Sequence, residues 1–392
     1  MNWKQVLKSY DYLLALVTIA IGVFGVVMIY SAIHADLIPS SVTAGHYGLW
    51  SRQRAFVISG AVLMVAISLV DYHYITRFYA YIFGAMIILL VVVLLIGADD
   101  ATGVARWLWL WLPGIGWISM QPSEFAKVIM IIAMAKFLDI NRDRFNRPLW
   151  LGVVLLAIAL PVFLVVLQPS LSAAIVILSI SMVVLFVGGL YYRTILFGTV
   201  MLAPIVVIIW FDVQRETPLF LLNFLGNFQW ERIQTFLDPA RCADAFRQTQ
   251  GSLYAIGTGG LTGRGFMQNP YVILGHNDFI FSVVASQFGF VGAALLLAST
   301  AFIIVRCIFI ALRAVDLEGR LIAAGVAGML IFETFFHVGV ATNLLPNTGM
   351  PFPFLSYGGS MIWVHMIAMG LVLNVGLPRK PKSMFDEEVE GI

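Results

Sequence analysis

Asp278 stands where a polar, glycine-rich stretch gives way to a long apolar run. It closes QGSLYAIGTGGLTGRGFMQNPYVILGHND, and FIFSVVASQFGFVGAALLL begins at the next residue. A carboxylate partly withdrawn from water binds its proton more tightly and can act as a general base. Aspartate at a helix start also reads as an N-cap; His276, Asn277 and the glycine-rich approach weaken that reading. A second constellation is Glu124 and Lys127 in QPSEFAKVIM, three residues apart and so on one helical face, able to pair. Pro122 suits the first turn of that helix, and Ser119 or Ser123 could cap it. The pair reads either as a staple of the bundle or as the polar wall of a cavity. Its place at the helix start favours the wall. Glu333 and His337, four apart in a later apolar run, read as a buried helix–helix contact.

Arg232, Arg241, Arg247 and Arg264 lie in the polar stretch ahead of Asp278. Guanidinium groups clamp phosphate oxygens, although loop arginines are more often simply solvated. GTGGLTGRG has a GxGxxG-like spacing, but no strand precedes it, so its glycines read as tight turns and close backbone approaches. There is no Walker motif, no G-x-S-x-G elbow and no Cys/His cluster.

The elements that must hold these groups are set by hydropathy. Of 392 residues, 60% are hydrophobic and 11% charged, against about 45–50% and about 25% in soluble domains. Apolar runs at 13–33, 54–71, 78–98, 122–138, 149–167, 170–190, 194–211, 279–305, 321–345 and 360–377 are long enough to cross a core of ~30 Å. The fold class is therefore all-α: a polytopic membrane helix bundle of about ten transmembrane helices. The first run exceeds a signal-peptide h-region and reads as a retained helix. Alternating the connections puts fourteen Lys and Arg on the side of the termini and eight on the other, with Lys127 inside a span. Both termini are then cytoplasmic. The opposite face carries a large loop, 212–277, and two shorter ones, 99–121 and 346–359, with Trp107, Trp109, Trp111 and Trp117 suited to an interfacial belt. Cys242 and Cys307 fall on opposite sides. Residues 1–380 read as one integral-membrane domain and 381–392 as a short acidic tail. The net charge of +2 gives no pointer to nucleic acid.

Several motifs occur in a telling order: ARW (105–107), QPSEFAK (121–127), QPS (168–170), FLDP (236–239), SLYAIGTGGLTGRG (252–265), HNDFIF (276–281) and PFLSYGGS (353–360). Together they resemble the SEDS family, RodA, FtsW and SpoVE, the polytopic glycosyltransferases of bacterial peptidoglycan synthesis. The resemblance covers essentially the whole chain. It implies polymerisation of lipid II into glycan strands at the outer face of the bacterial cytoplasmic membrane, with release of undecaprenyl pyrophosphate. It implies Asp278 as the catalytic residue, taking the proton of the attacking sugar hydroxyl. Arg106, Trp107, Glu124, Lys127, Arg232, Gln248, Ser252, His276 and Ser356 are its candidate substrate-binding residues. Arg106, Arg232 or Lys127 would neutralise the leaving pyrophosphate; a divalent cation, Mg or Mn, could do the same, though no ligand cluster requires one. The implied partner is a class B penicillin-binding protein that supplies the transpeptidase.

The chain departs from the family pattern in three acids. QPD is here QPS, and EE-[LF]-G is here SQFG, so Ser170, Ser286 and Gln287 stand in their places, a set expected around the site. Two further classes fit parts of the sequence. A lipid II flippase would use the intramembrane charges, but these crowd towards one face and no repeat is visible. A catalytically weak scaffold would account for the lost acids.

Overall fold

The computed structural model describes residues 8–34, 48–99, 105–112, 116–144, 146–194, 196, 211–212, 227–239, 242–268, 270 and 272–378. Within them, nine of the ten apolar runs are helices: α1 (Tyr12–His34), α2 (Leu49–Leu69), α4 (Tyr79–Ile96), α5 (Pro122–Ile140), α6 (Pro148–Leu167), α7 (Leu171–Val187), α10 (Ile280–Arg313), α11 (Leu317–Ala341) and α12 (Gly359–Val375), with the short α3 (Tyr72–Thr76) between α2 and α4. The span expected at 194–211 falls almost wholly outside the described residues, as does the tail. The bundle is apolar outside as well as inside. Tyr81, Leu95, Leu149, Phe186 and Leu312 are exposed, whereas Lys127, Glu333, His337 and His365 are buried. That distribution suits lipid as the solvent, with charge turned to the interior. The protein is a multi-pass membrane protein.

The described parts of two of the expected loops contain regular elements. Residues 99–121 contribute to a small antiparallel sheet of order β1-β2-β3, built from β1 (Ala98–Asp99), β2 (Ala105–Leu112) and β3 (Gly116–Met120). Leu108 faces Met120 and Trp111 faces Trp117 across the hairpin. The alternation in ARWLWLWL is a strand pattern, and it carries Trp109 and Trp111 outward, where both are exposed. The 212–277 loop holds α8 (Asn227–Leu237) and α9 (Ala243–Gly259).

The glycines after α9 act on α10. That helix is broken at Gly289 (φ 64°, ψ −161°), and the glycine-rich segment takes up the freed backbone groups. Phe290 N donates to Gly260 O (2.9 Å), Val291 N to Leu261 O (3.1 Å), Arg264 N to Ser286 O (2.9 Å) and Gly265 N to Gln287 O (3.1 Å). A Cβ at Gly259 or Gly263 would lie 2.1 Å from a carbonyl oxygen of α10. The segment is thus a backbone splint for the kink within α10.

The opposite end of the bundle is tied by charge. His73 of α3 bridges Asp71 (2.8 Å) and Asp316 (2.6 Å), Tyr72 Oη donates to Asp316 (2.8 Å), and Lys136 of α5 pairs with Glu318 of α11 (2.9 Å). Arg306 pairs with Asp11.

Candidate active site

At the other end lies a cavity of about 670 Å³. Its wall takes residues from the start of α2 (Arg52), the hairpin (Arg106, Trp107), the start of α5 (Gln121, Glu124), the start of α7 (Ser170), α8 (Arg232), the lead into α10 (Asn277, Asp278) and the 346–360 loop. Residues more than 300 apart in sequence meet there because α2, α5, α7, α10 and α12 all begin at this end, each delivering the residues of its first turn or approach.

Asp278, like Glu124, is a buried carboxylate of the cavity wall, with 6% of its surface exposed. Burial pushes its pKa up from the ordinary carboxylate value, while the guanidinium groups of Arg232 and Arg106 pull it back. The effect is mutual: burial lowers the pKa of Arg232, Asp278 opposes that shift, and Arg106 adds to it. Arg232 also donates to the Asn347 carbonyl (3.1 Å). A Cβ at Gly349 (φ +67°) would fall 3.0 Å from Arg232 Nη1 and 3.3 Å from Asp278 Oδ2, so glycine permits the close approach of that loop. Asp278 is not a helix cap. Phe279 occupies that position without a side-chain cap, and the first-turn amide of Phe281 donates instead to His337 Nε2 (3.4 Å).

The loop opposite Asp278 is tied down on both sides. Ser356 Oγ accepts from Phe352 N (2.8 Å) and donates to Asn277 O (2.7 Å). Gln53 Nε2 donates to Ser356 O (3.0 Å), and Gln53 Oε1 accepts from Gly358 N (3.1 Å). Tyr357 N donates to His276 O (3.0 Å). Burial raises the Tyr357 phenol's pKa, and Arg52 beside it works the other way.

Glu124 and Lys127 do pair. Lys127 Nζ is 2.7 Å from Glu124 Oε2, an ion pair whose geometry falls short of a hydrogen bond at that oxygen. Glu124 faces the cavity, but Lys127 is 2% exposed and its ammonium also meets Glu333 Oε1 at 2.6 Å. The lysine is therefore withdrawn from any pyrophosphate in the cavity, and Arg52 is the cation that sequence reasoning passed over. Neither Ser119 nor Ser123 caps α5; its N-cap is Gln121, without a side-chain bond. Glu333 does not pair with His337. It meets His365 of α12 at 2.5 Å, while His337 faces the Met350 carbonyl (2.8 Å).

The other expected residues divide. Arg106, Trp107, Glu124, Arg232 and Asp278 share the main cavity. Gln248 lines a smaller one of about 210 Å³ that also takes in Arg232 and Asn347. Ser252 lies between helices, bonded to Ser282 Oγ (2.5 Å) and the Ala341 carbonyl (2.6 Å). His276 and Ser356 stand behind the wall. Of the three replaced acids, only Ser170 lines the cavity. Gln287 bonds Ser31 of α1 (2.7 Å) and Ser286 is buried beside it, so the departures do not cluster at the site. A divalent cation finds a poor donor set: among the described residues no three His, Cys, Asp or Glu side chains converge, and Asp278 and Glu124 both have cationic neighbours.

This geometry belongs to a known architecture. The model of the "Cell cycle protein" family FTSW_RODA_SPOVE matches residues 11–380. The chain belongs to the FtsW/RodA/SpoVE family. Among FtsW/RodA/SpoVE relatives, the probable peptidoglycan glycosyltransferase FtsW of Trichlorobacter lovleyi is 32% identical over 94% of this chain and 93% of its own. The peptidoglycan glycosyltransferase MrdB of Escherichia coli K12 is 32% identical over 97% and 96%. Among solved structures, a chain described under "Structural coordination of polymerization and crosslinking by a peptidoglycan synthase complex" superposes with a TM-score of 0.74 at 30% identity, covering 94% of this chain and 97% of that one. The rod shape determining protein RodA of Thermus thermophilus superposes with 0.65 at 29% identity, covering 94% and 96%. The likeness to FtsW and RodA thus spans the helices, the hairpin and the cavity together.

Proposed function

We propose that Asp278 is the general base of glycan polymerisation from lipid II, carried out in this cavity at the outer face of the cytoplasmic membrane. The chain is a peptidoglycan glycosyltransferase, as its family relatives are. The single observation that carries the assignment is a buried carboxylate at the cavity wall, raised in pKa by burial yet held in check by Arg106 and Arg232. Such a group, once ionised, is a stronger base than an exposed aspartate. The sugar hydroxyl attacks the anomeric carbon of the second unit as its proton passes to Asp278. The bond from that carbon to the pyrophosphate oxygen breaks, and undecaprenyl pyrophosphate leaves. Arg106, Arg232 and Arg52 supply positive charge for the departing phosphates, while the exposed Trp109 and the lipid-facing bundle suit the polyprenyl chain. The likeness to a chain of a peptidoglycan synthase complex supports a crosslinking partner, which we propose is a class B penicillin-binding protein.

The test is polymerisation of labelled lipid II by purified protein. Asp278→Asn, which keeps the shape and removes the base, is expected to slow it by roughly 10²–10⁴-fold without lowering the melting temperature. Undiminished polymerisation by that variant overturns the assignment.

A further inference from the structure

The charge that Glu124 shows to the cavity depends on residues that never reach it. Lys127 Nζ stands 2.7 Å from Glu124 Oε2 and 2.6 Å from Glu333 Oε1, so one ammonium faces two carboxylates. This lies inside the bundle, where an uncompensated charge is costly. The second carboxylate has its own partner. Glu333 Oε2 is 2.5 Å from His365 Nε2, and His365 Nδ1 is 2.7 Å from the Met361 carbonyl oxygen. Glu333 and His365 are both fully buried. A carbonyl oxygen can only accept, so Nδ1 carries a hydrogen, and the short contact between Nε2 and Oε2 needs another. Wherever that second hydrogen rests, on nitrogen or on oxygen, the pair holds it between them and bears no net charge. Lys127 then balances Glu124 alone. His337, on the same helix as Glu333, is engaged elsewhere: Nδ1 faces the Met350 carbonyl and Nε2 accepts from the Phe281 amide (3.4 Å).

From this geometry we infer that His365 is a positioning residue of the glycosyl transfer: sharing a proton with Glu333, it reserves Lys127 for Glu124, which thereby presents a carboxylate to polar groups of the bound substrate. The inference rests on the cavity being the site of transfer. It also explains why a buried histidine sits in α12 one turn beyond the cavity wall.

The experiment assays the full-length protein and its His365→Leu, Glu333→Gln, Glu333→Gln/His365→Leu, Glu124→Gln and Asp278→Asn variants for lipid II polymerisation between about pH 6 and pH 9, each checked by thermal melting. Without His365, the Glu333 carboxylate has no partner to share its proton and competes for Lys127. His365→Leu is therefore expected to polymerise lipid II roughly tenfold or more slowly than the wild type, with a deficit that does not shrink as pH rises. The double variant has no competing carboxylate, so its profile should run close to the wild type, as should that of Glu333→Gln. A pure staple predicts no such rescue. Wild-type polymerisation by His365→Leu, or a double variant no better than His365→Leu, overturns the inference. If His365→Leu does not fold, Glu333→Gln decides: wild-type activity supports the inference, and a loss as deep as that of Glu124→Gln overturns it. Wild-type polymerisation by Asp278→Asn would instead sink the base assignment, leaving the comparison of His365→Leu with the wild type intact.

Discussion

Asp278 must be ionised to accept a proton, so the rate should rise with pH and level off above its pKa. Burial raises that pKa and the two arginines lower it. Arg106→Ala removes one of the opposing charges. Its acid limb should therefore lie at higher pH than that of the wild type, whereas Arg106→Lys, which keeps the charge, should leave the limb near its place. A pH–rate profile of kcat/KM reads both, and an unmoved limb in Arg106→Ala would mean that the arginine's field does not reach the base. How much of the site could be read from sequence follows from which contacts are local. Asp278 was legible from its place before an apolar run, and Glu124 with Lys127 from a three-residue spacing that the helix makes a contact. Arg52, Tyr357 and His365 were not, because they reach their partners only through the packing of α2 and α12. Glu333 and His337, read as a buried helix–helix contact, do face other elements, Glu333 meeting Lys127 of α5 and His365 of α12, but the spacing could not name those partners.

Among the described residues, helices were legible where the apolar run was continuous, because lipid leaves a spanning backbone no other way to satisfy its amides. The hairpin and the two helices of the large loop were harder to see. ARWLWLWL alternates with the period of a strand, yet its tryptophans also suit an interface, and the polar face of QWERIQTFL hides a helix whose partner is distant in sequence. The glycines of 257–265 illustrate how an element's role depends on what lies against it. Gly259 has the Ala285 carbonyl 2.1 Å from where a Cβ would sit, whereas Gly257 has nothing within 4 Å. Gly259→Ala should push α9 off the α10 kink and cost about 1–3 kcal/mol. Gly257→Ala, in the same helix, should be neutral or stabilise by roughly 0.5–1 kcal/mol. Thermal melting of the two variants in detergent compares them directly, and equal effects would show that the close packing of α9 on α10 contributes nothing to stability.

The whole molecule has two unlike ends, and each can be probed without touching the other. At the end away from the cavity, burial alone would depress the pKa of His73, but its bonds to Asp316 and Asp71 outweigh burial and raise it from 6.5 to about 9. A pKa raised on folding stabilises fully below about pH 6.5, and the benefit is lost as pH climbs through about 9. Asp316, whose half-burial is outweighed by its bond to His73, is held down at about 2 and stays ionised throughout that window. His73→Gln should therefore be less stable than the wild type by about 1–2 kcal/mol at pH 6, after allowance for solvent screening of a partly exposed pair, with the gap in melting temperature closing towards pH 9. The cavity end makes a different prediction, about orientation. The Lys and Arg bias predicts that the His73 end lies in the cytoplasm and the cavity outside, where a lipid-linked sugar must arrive for the proposed reaction. Cys242, partly exposed beside α9, belongs to the cavity end, and Cys307 is buried in α10. A membrane-impermeant maleimide added to intact spheroplasts should label the wild type at Cys242 and leave Cys242→Ser unlabelled. Labelling that begins only after the membrane is lysed would turn the molecule over. The cavity would then open to the cytoplasm, and polymerisation at the outer face could not be its reaction.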